Sequence, residues 1–347
     1  MSNLTHDNAL WTKAAGVDRA LAVLRAGRPV VAATAVTRDG NDYRLLLTAD
    51  GSVIDGAEQG LLEKRAAAGL DAGPLPVFFD ASPLGELTGD AADVYGCIDA
   101  LFLDRLEPES LPLWEALGQA LALGQAGLVI SRLGGNGQPP GRALLLADGR
   151  RLGDGLPEAV LAEAARREPE LAGLTVLDAA GARYVLDPYR PLPPLYLLGA
   201  GLVSRLTAEL ARMAGCRTVV MDVDPAFANR ERFPGAAEVL VVPELADCFA
   251  GRTVDGDASV VIATRGHVYD IPALAQTLQT AAGYVGLMAC KADGRARLET
   301  LRRQGVAEED LARVHTPIGL PLGGKAPGEI AMSIMAEVIR SRSARRR

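Results

Sequence analysis

A chain of 347 residues is long enough for two hydrophobic cores, because a single core rarely grows past about 250–300 residues. With 49% hydrophobic and 23% charged residues, wholesale disorder is excluded, and 4% aromatics among abundant Ala, Leu, Val and Gly suits helices on parallel strands better than an all-β sandwich. A formal charge of −7 repels phosphate backbones and argues against a nucleic-acid partner.

The chain opens on Met1-Ser-Asn-Leu-Thr-His-Asp-Asn, with no charged segment leading into an apolar one, and no apolar run reaches about 18 residues. A cytoplasmic protein with no membrane partner is expected. Val30–Val36 and Tyr43–Thr48 read as strands joined across the turn-forming Arg38-Asp-Gly-Asn-Asp. Leu61–Gly69 reads as a short helix, Leu75–Phe79 and Ala100–Leu106 as strands, and Leu113–Leu123 as a helix. Gly127–Leu133 and Arg142–Leu146 follow as strands around a Gly- and Pro-rich loop. This half is α+β by that reading, and no internal repeat stands out. Four prolines between Pro188 and Pro194 cannot sit inside a helix or a central strand, so they mark a boundary between domains 1–190 and 191–347.

Beyond that boundary the pattern becomes regular. Leu195–Leu198, Thr218–Met221, Val239–Val242, Ser259–Ala263 and Tyr284–Met288 are apolar throughout, as strands buried on both faces are. Helical stretches separate several of them, which predicts a doubly wound parallel sheet of Rossmann type. The helix from Pro327 carries proline at its first position and an apolar stripe through Ile330, Ile334 and Val338, suited to core packing or to a homodimer contact. The terminal run from Arg340 reads as a solvated basic tail.

The sharpest local signal is Tyr196-Leu-Leu-Gly199-Ala200-Gly201-Leu202-Val-Ser204, a strand running into a glycine pair and then a helix. Gly199 permits the tight turn, Gly201 permits close approach of a phosphate, and the helix start offers N–H groups at a positive dipole end. Gly215 is the expected C-cap. Asp222 closes the next strand, where an acid can accept from a ribose diol and disfavour a 2′-phosphate, which would select NAD over NADP. Ser204 stands where a third glycine is usual.

A hydride-transferring reductase also needs a proton donor, commonly a tyrosine with a lysine four residues on or a histidine–carboxylate pair. None of the seven tyrosines has that lysine. Of three histidines, His267 follows the fourth strand of the sheet, where ligands of such folds bind; it reads equally as a catalytic group or a loop brace. His315 reads as a turn anchor. The four cysteines show no close pairing, which argues against zinc and against a disulfide framework. Cys97 is the candidate functional thiol, with a small buried residue as the alternative; Cys216 and Cys248 read as core, and Cys290 and Glu63 as secondary candidates.

Several stretches resemble the XdhC/CoxI family of accessory proteins for molybdenum hydroxylases. They are Gly199-Ala-Gly-Leu-Val, Asp222-Val-Asp224-Pro with Ala228-Asn-Arg-Glu-Arg-Phe-Pro, Thr264-Arg265-Gly266-His267 with Asp270, Tyr284-Val-Gly, and His315-Thr-Pro-Ile-Gly-Leu with Glu329-Ile-Ala-Met-Ser-Ile-Met-Ala-Glu337. The resemblance covers residues 195–340 in order. It implies a cofactor handler rather than an enzyme: a protein that binds the molybdenum–pterin cofactor, helps it acquire a sulfido ligand from a cysteine desulfurase, and delivers it to an apo-molybdenum hydroxylase of xanthine dehydrogenase or aldehyde oxidoreductase type. On that reading Gly199, Ala200, Gly201, Leu202, Asp222, Asp224, Thr264, Arg265 and Gly266 hold the cofactor, His267 and Cys97 act on it, and the Cys97 thiolate is a soft ligand for the metal. The chain departs from the family at Leu202 and Ser204, usually histidine and glycine. Gln59-Gly-Leu-Leu-Glu63 stands where the family has Gly-Gly-Cys-x-Glu, so the N-terminal domain is a divergent version. Two other functions compete: an NAD-dependent oxidoreductase, and a non-catalytic nucleotide-binding sensor or scaffold.

Overall fold

The computed structural model describes residues 13–37, 42–48, 53–55, 76–80, 98–133, 141–171, 173–265 and 267–345. The chain forms two compact units, Met1–Leu192 and Pro193–Arg347.

In the first unit α1 (Lys13–Arg25) leads into β1 (Val30–Thr37), β2 (Asp42–Thr48) and β3 (Val53–Asp55), and β4 (Val77–Asp80) and β5 (Ile98–Leu106) complete an antiparallel sheet of order β3-β2-β1-β5-β4. Next come α2 (Leu111–Ala122), β6 (Gly127–Arg132), β7 (Arg142–Leu146), β8 (Arg151–Asp154), α3 (Glu158–Arg167), β9 (Thr175–Ala179) and β10 (Ala182–Tyr189). Their strands make a second antiparallel sheet of order β8-β7-β6-β10-β9. Leu21 and Leu24 of α1, Leu117 and Leu121 of α2, and Val30, Leu106, Val129 and Leu144 of the sheets bury one another in a shared core. Trp114 meets Tyr189 edge-on with ring centroids 5.8 Å apart.

One expectation changes here, and one element is not foreseen. Pro188 lies inside β10, in register with Leu128 of β6, so the proline-rich boundary begins only after Tyr189. The reason is local: β9 pairs with β10 only from Ala182 to Leu186, so at Pro188 one side of the strand has no ladder partner to deprive of a donor. The helix α1 is not evident from sequence, because its polar residues dilute the apolar stripe that Val17, Leu21 and Leu24 present to the core. The helix expected at Leu61–Gly69 lies outside the described residues.

The second unit is built from β11 (Pro194–Leu198), α4 (Leu202–Met213), β12 (Arg217–Asp222), β13 (Glu238–Val241), β14 (Ser259–Ile262), α5 (His267–Leu278), β15 (Tyr284–Leu287), α6 (Lys291–Arg303), α7 (Glu308–Leu311), β16 (Val314–His315) and α8 (Pro327–Arg345). All six strands are parallel, in the order β13-β12-β11-β14-β15-β16. The doubly wound sheet expected from the apolar runs is the observed fold. One face buries Leu195, Leu197 and Val220 against Ala208 and Ala211 of α4 and Ile334 and Val338 of α8. The other buries Leu198, Val260 and Ile262 against Ala273 and Leu274 of α5 and Leu301 of α6. The stripe on α8 is therefore core. β16 escapes a sequence reading because two residues are too few to show a period. Gly215, at φ 66°, ends α4, with the Cys216 amide donating to the Ala211 carbonyl at 2.9 Å. Among the described residues no helix is long and apolar enough to cross a membrane.

Candidate cofactor-binding site at the carboxyl edge of the parallel sheet

Strand order reverses beside β11: α4 returns the chain to β12 on one side, while β14 flanks the other. Ligands of open parallel sheets bind in the crevice outside the carboxyl ends of strands at such a point. Gly199 follows β11 there at φ 100°, and a Cβ on it would overlap the Ala263 carbonyl oxygen, so no other residue fits. Gly201 is the N-cap of α4; a Cβ built on it meets nothing within 4 Å, and no side chain caps the helix. The first turn of α4 thus has amides that no capping side chain takes, at the positive end of a 12-residue helix. Leu202, its first residue, is largely exposed. Ser204 is buried in place of the usual glycine, and its hydroxyl finds no partner among the described residues.

Asp222 ends β12 and is buried, and its carboxylate is already engaged. Oδ2 accepts from the Ala200 amide at 2.8 Å, while Oδ1 accepts from the Asp224 amide at 3.0 Å and from Arg265 Nη2 at 3.1 Å. Asp224 is the exposed acid of the pair, with a side chain 37% exposed against 6% for Asp222. Its Oδ1 accepts from the Ala226 amide at 2.9 Å, and its Oδ2 pairs with Arg265 at 3.3 Å. Arg265 lies 3.8 Å above the Phe227 ring, and Arg232 approaches the same ring at 5.1 Å while donating to the Ala200 carbonyl at 3.4 Å. The mouth of the turn is therefore framed by two arginines, two carboxylates and one aromatic face.

Thr264, just past β14, donates through its hydroxyl to Asp270 of α5, and Arg297 of α6 holds the other oxygen of that buried carboxylate at 2.8 Å. These three residues pin α5 and α6 to the sheet edge. His267 begins α5, though its side chain, like Gly266 and Cys97, lies outside the described residues. Cys290 caps α6, its sulfur accepting from the Asp293 amide at 3.4 Å, and is exposed; Cys248 is buried, and desolvation pushes its thiol up to about 12. Cys216 is buried as well.

A second polar centre is only half visible in the sequence. Glu337 of α8 accepts from the Tyr284 hydroxyl at 2.8 Å and from the Gly319 amide at 2.7 Å, and its other oxygen faces His315 Nδ1 and Arg340 at 3.3 Å each. Burial raises this carboxyl, but the Tyr284 and Gly319 donors and His315 outweigh it and hold it below the usual glutamate range. The reading of His315 as a turn anchor is corrected: it lies in β16 and its Nδ1 faces the Glu337 carboxylate of α8, a partner that spacing alone does not reveal.

Residues 195–338 match the XdhC Rossmann domain. The C-terminal unit is an XdhC Rossmann domain. Over 163 residues the chain is 33% identical to the uncharacterized protein YqeB of Escherichia coli (strain K12), covering 47% of this chain and 30% of that protein. Over 152 residues it is 29% identical to a probable xanthine dehydrogenase subunit of Bacillus subtilis (strain 168), covering 44% of each. Over 150 residues it is 22% identical to the molybdenum cofactor insertion chaperone PaoD of Escherichia coli (strain K12), covering 43% of this chain and 40% of PaoD. The matched stretch spans less than half the length of each curated relative. A crystal structure of a Bacillus halodurans protein described as a xanthine dehydrogenase shares the fold, with a TM-score of 0.69 at 21% identity over 96% of this chain and 95% of that one. The XdhC Rossmann domain thus carries the glycine turn, and the shared fold extends across both units.

Proposed function

We propose that this protein is an accessory factor that binds the molybdenum–pterin cofactor and assists its sulfuration and insertion into a molybdenum hydroxylase. The observation that carries the reading is the uncapped start of α4 behind Gly201, set in an XdhC Rossmann domain. One relative is named a molybdenum cofactor insertion chaperone and another a probable xanthine dehydrogenase subunit, which supports the same reading.

The donor set fits a phosphorylated ligand. Amides of the turn and first helical residues would take the phosphate oxygens, and Arg232 and Arg265 stand at the mouth to balance its charge. When bound, the cofactor would supply a metal centre whose terminal ligand is exchanged; this chain would grip the phosphate and orient the pterin. Thr264, His267 and Asp270 border the same edge. Cys97 is proposed as the thiol that acts on the cofactor, a cysteine desulfurase as the sulfur source and an apo-hydroxylase as the acceptor. Nothing in the geometry favours an NAD-dependent reductase, since Asp222 is occupied by amides and Arg265 rather than presented to a ribose.

The test is co-expression with cofactor biosynthesis, followed by metal and pterin analysis of the purified protein. The wild-type chain should retain pterin. Gly201→Asp places a carboxylate on the amides, so it should lose the pterin without losing fold, because aspartate is itself a favourable N-cap. Retention by that variant equal to wild type removes the turn from the function. Unchanged molybdenum loading of hydroxylases in cells lacking the protein removes the function itself.

A further inference from the structure

We infer that the N-terminal unit is one module built twice, and that the two copies meet through a pseudo-two-fold interface whose partner is the other copy. Both sheets have the same order once renumbered from their own first strand: β3-β2-β1-β5-β4 and β8-β7-β6-β10-β9. Each is entered by a helix, α1 or α2, that ends at a glycine of positive φ, Gly27 at 71° and Gly124 at 79°, three residues before the central strand. The register repeats as well. Thr34 stands between Arg44 and Phe102 on its neighbouring strands, and Ser131 stands between Arg142 and Val185 on its own. Ala32 faces Asp104 across β1 and β5, and Val129 faces Asp187 across β6 and β10. One stretch shows it in sequence too: Arg44-Leu-Leu-Leu-Thr-Ala-Asp-Gly against Arg142-Ala-Leu-Leu-Leu-Ala-Asp-Gly. The reading that no internal repeat exists is thereby corrected.

What identifies the interface as two-fold is that equivalent positions meet. In an isologous contact the residues on the axis touch their own counterparts, whereas a head-to-tail contact joins unlike positions. Leu21 of α1 packs on Gly118, the residue of α2 at its own position, where a Cβ would come within 3.1 Å of the leucine methyl. Phe102 and Val185, register equivalents, share one small buried cluster, and Val36 and Leu133, again equivalents, pack against it. Off the axis, contacts of a two-fold interface come in reciprocal pairs. Arg142 of the second copy pairs with the buried Asp104 of the first. Asp187 is as buried as Asp104, at 3% against 2%, and is itself partnered. The register position of Arg142 is held in the first copy by Arg44.

Hydrogen exchange read by mass spectrometry on the full chain tests this. Arg142→Gln should speed exchange about tenfold in β1 and β5 as well as in β6 and β7, the scale of one lost charged hydrogen bond. Asp187→Asn should do the same in both copies. An Asp187→Asn effect confined to residues 127–189 overturns the reciprocal contact and the two-fold interface with it. Should these variants fail to fold, the unmodified chain decides. The central strands of both copies should open in one step with one denaturant dependence, and separate openings overturn the proposal.

Discussion

Asp222 and Ala200 are joined by a hydrogen bond of 2.8 Å from the Ala200 amide to Oδ2, so the carboxylate at the end of β12 sets the shape of the glycine turn after β11. The same side chain accepts from the Asp224 amide and Arg265, and it is buried. Asp222→Ala would leave two amides short of acceptors, at a cost of about 1–3 kcal/mol for each buried group. Asp222→Asn retains one oxygen and should lose less. Urea unfolding of the three proteins checks the order wild type, Asn, Ala; equal stability of Ala and wild type would show that the carboxylate is not structural.

Gly199 and Gly201 should separate folding from binding. Gly199→Ala drives a methyl into the Ala263 carbonyl at a φ of 100°, so the thermal midpoint should fall by several degrees. Gly201→Ala meets open space in ordinary extended backbone, with φ −72° and ψ −175°, and should leave the midpoint within about a degree of wild type. Differential scanning calorimetry reads both.

Arg265 and Asp224 form an exposed pair at the mouth of the turn. Exposed ion pairs contribute about 0–1 kcal/mol to stability. Arg265→Ala also takes a donor from the buried Asp222 carboxylate, so unfolding should become easier by about 1–3 kcal/mol through that contact, and on the proposed function it weakens retention of the pterin cofactor by about tenfold through a lost charge-assisted hydrogen bond. Pterin content per chain after purification is the readout, and retention equal to wild type would take Arg265 out of the site.

Glu337 predicts a pH dependence of α8 docking. The groups facing it are Tyr284, His315, Arg340 and the Gly319 amide. Its folded value lies below its ordinary one of 4.5, so the stability it contributes is fully present above that value and is lost as pH falls through the depressed one. Thermal midpoints from about pH 6 down to pH 3 should fall more steeply for wild type than for Glu337→Gln, which has no charge to lose. Parallel curves would show that the carboxylate carries no such dependence.

The strands of the parallel sheet are legible in sequence because residues buried on both faces are apolar in unbroken runs, as in Ser259–Ile262 and Tyr284–Leu287. Gly199 is legible because its turn admits no side chain. The part played by Asp222 is not. An acid ending a second strand looks the same whether it awaits a ribose or holds an amide, and two of its three donors come from residues 22 and 43 positions away. The repeat in the first unit is hidden for a related reason: helices and antiparallel strands keep a pattern of burial rather than particular residues, so Leu21 and Gly118 on the helices, or Phe102 and Val185 on the strands, can occupy one position without resembling each other.

Local chemistry written along the chain thus determined the parallel sheet, the glycine turn and the start and stop of the helices around it, since each depends on neighbours a few residues apart. Only the tertiary structure decided which carboxylate is locked and which is open, what Glu337 holds together, and that two halves of the first unit face each other about an axis. Those properties are relations between groups distant in sequence, and their energies exist only once burial has removed water from between them.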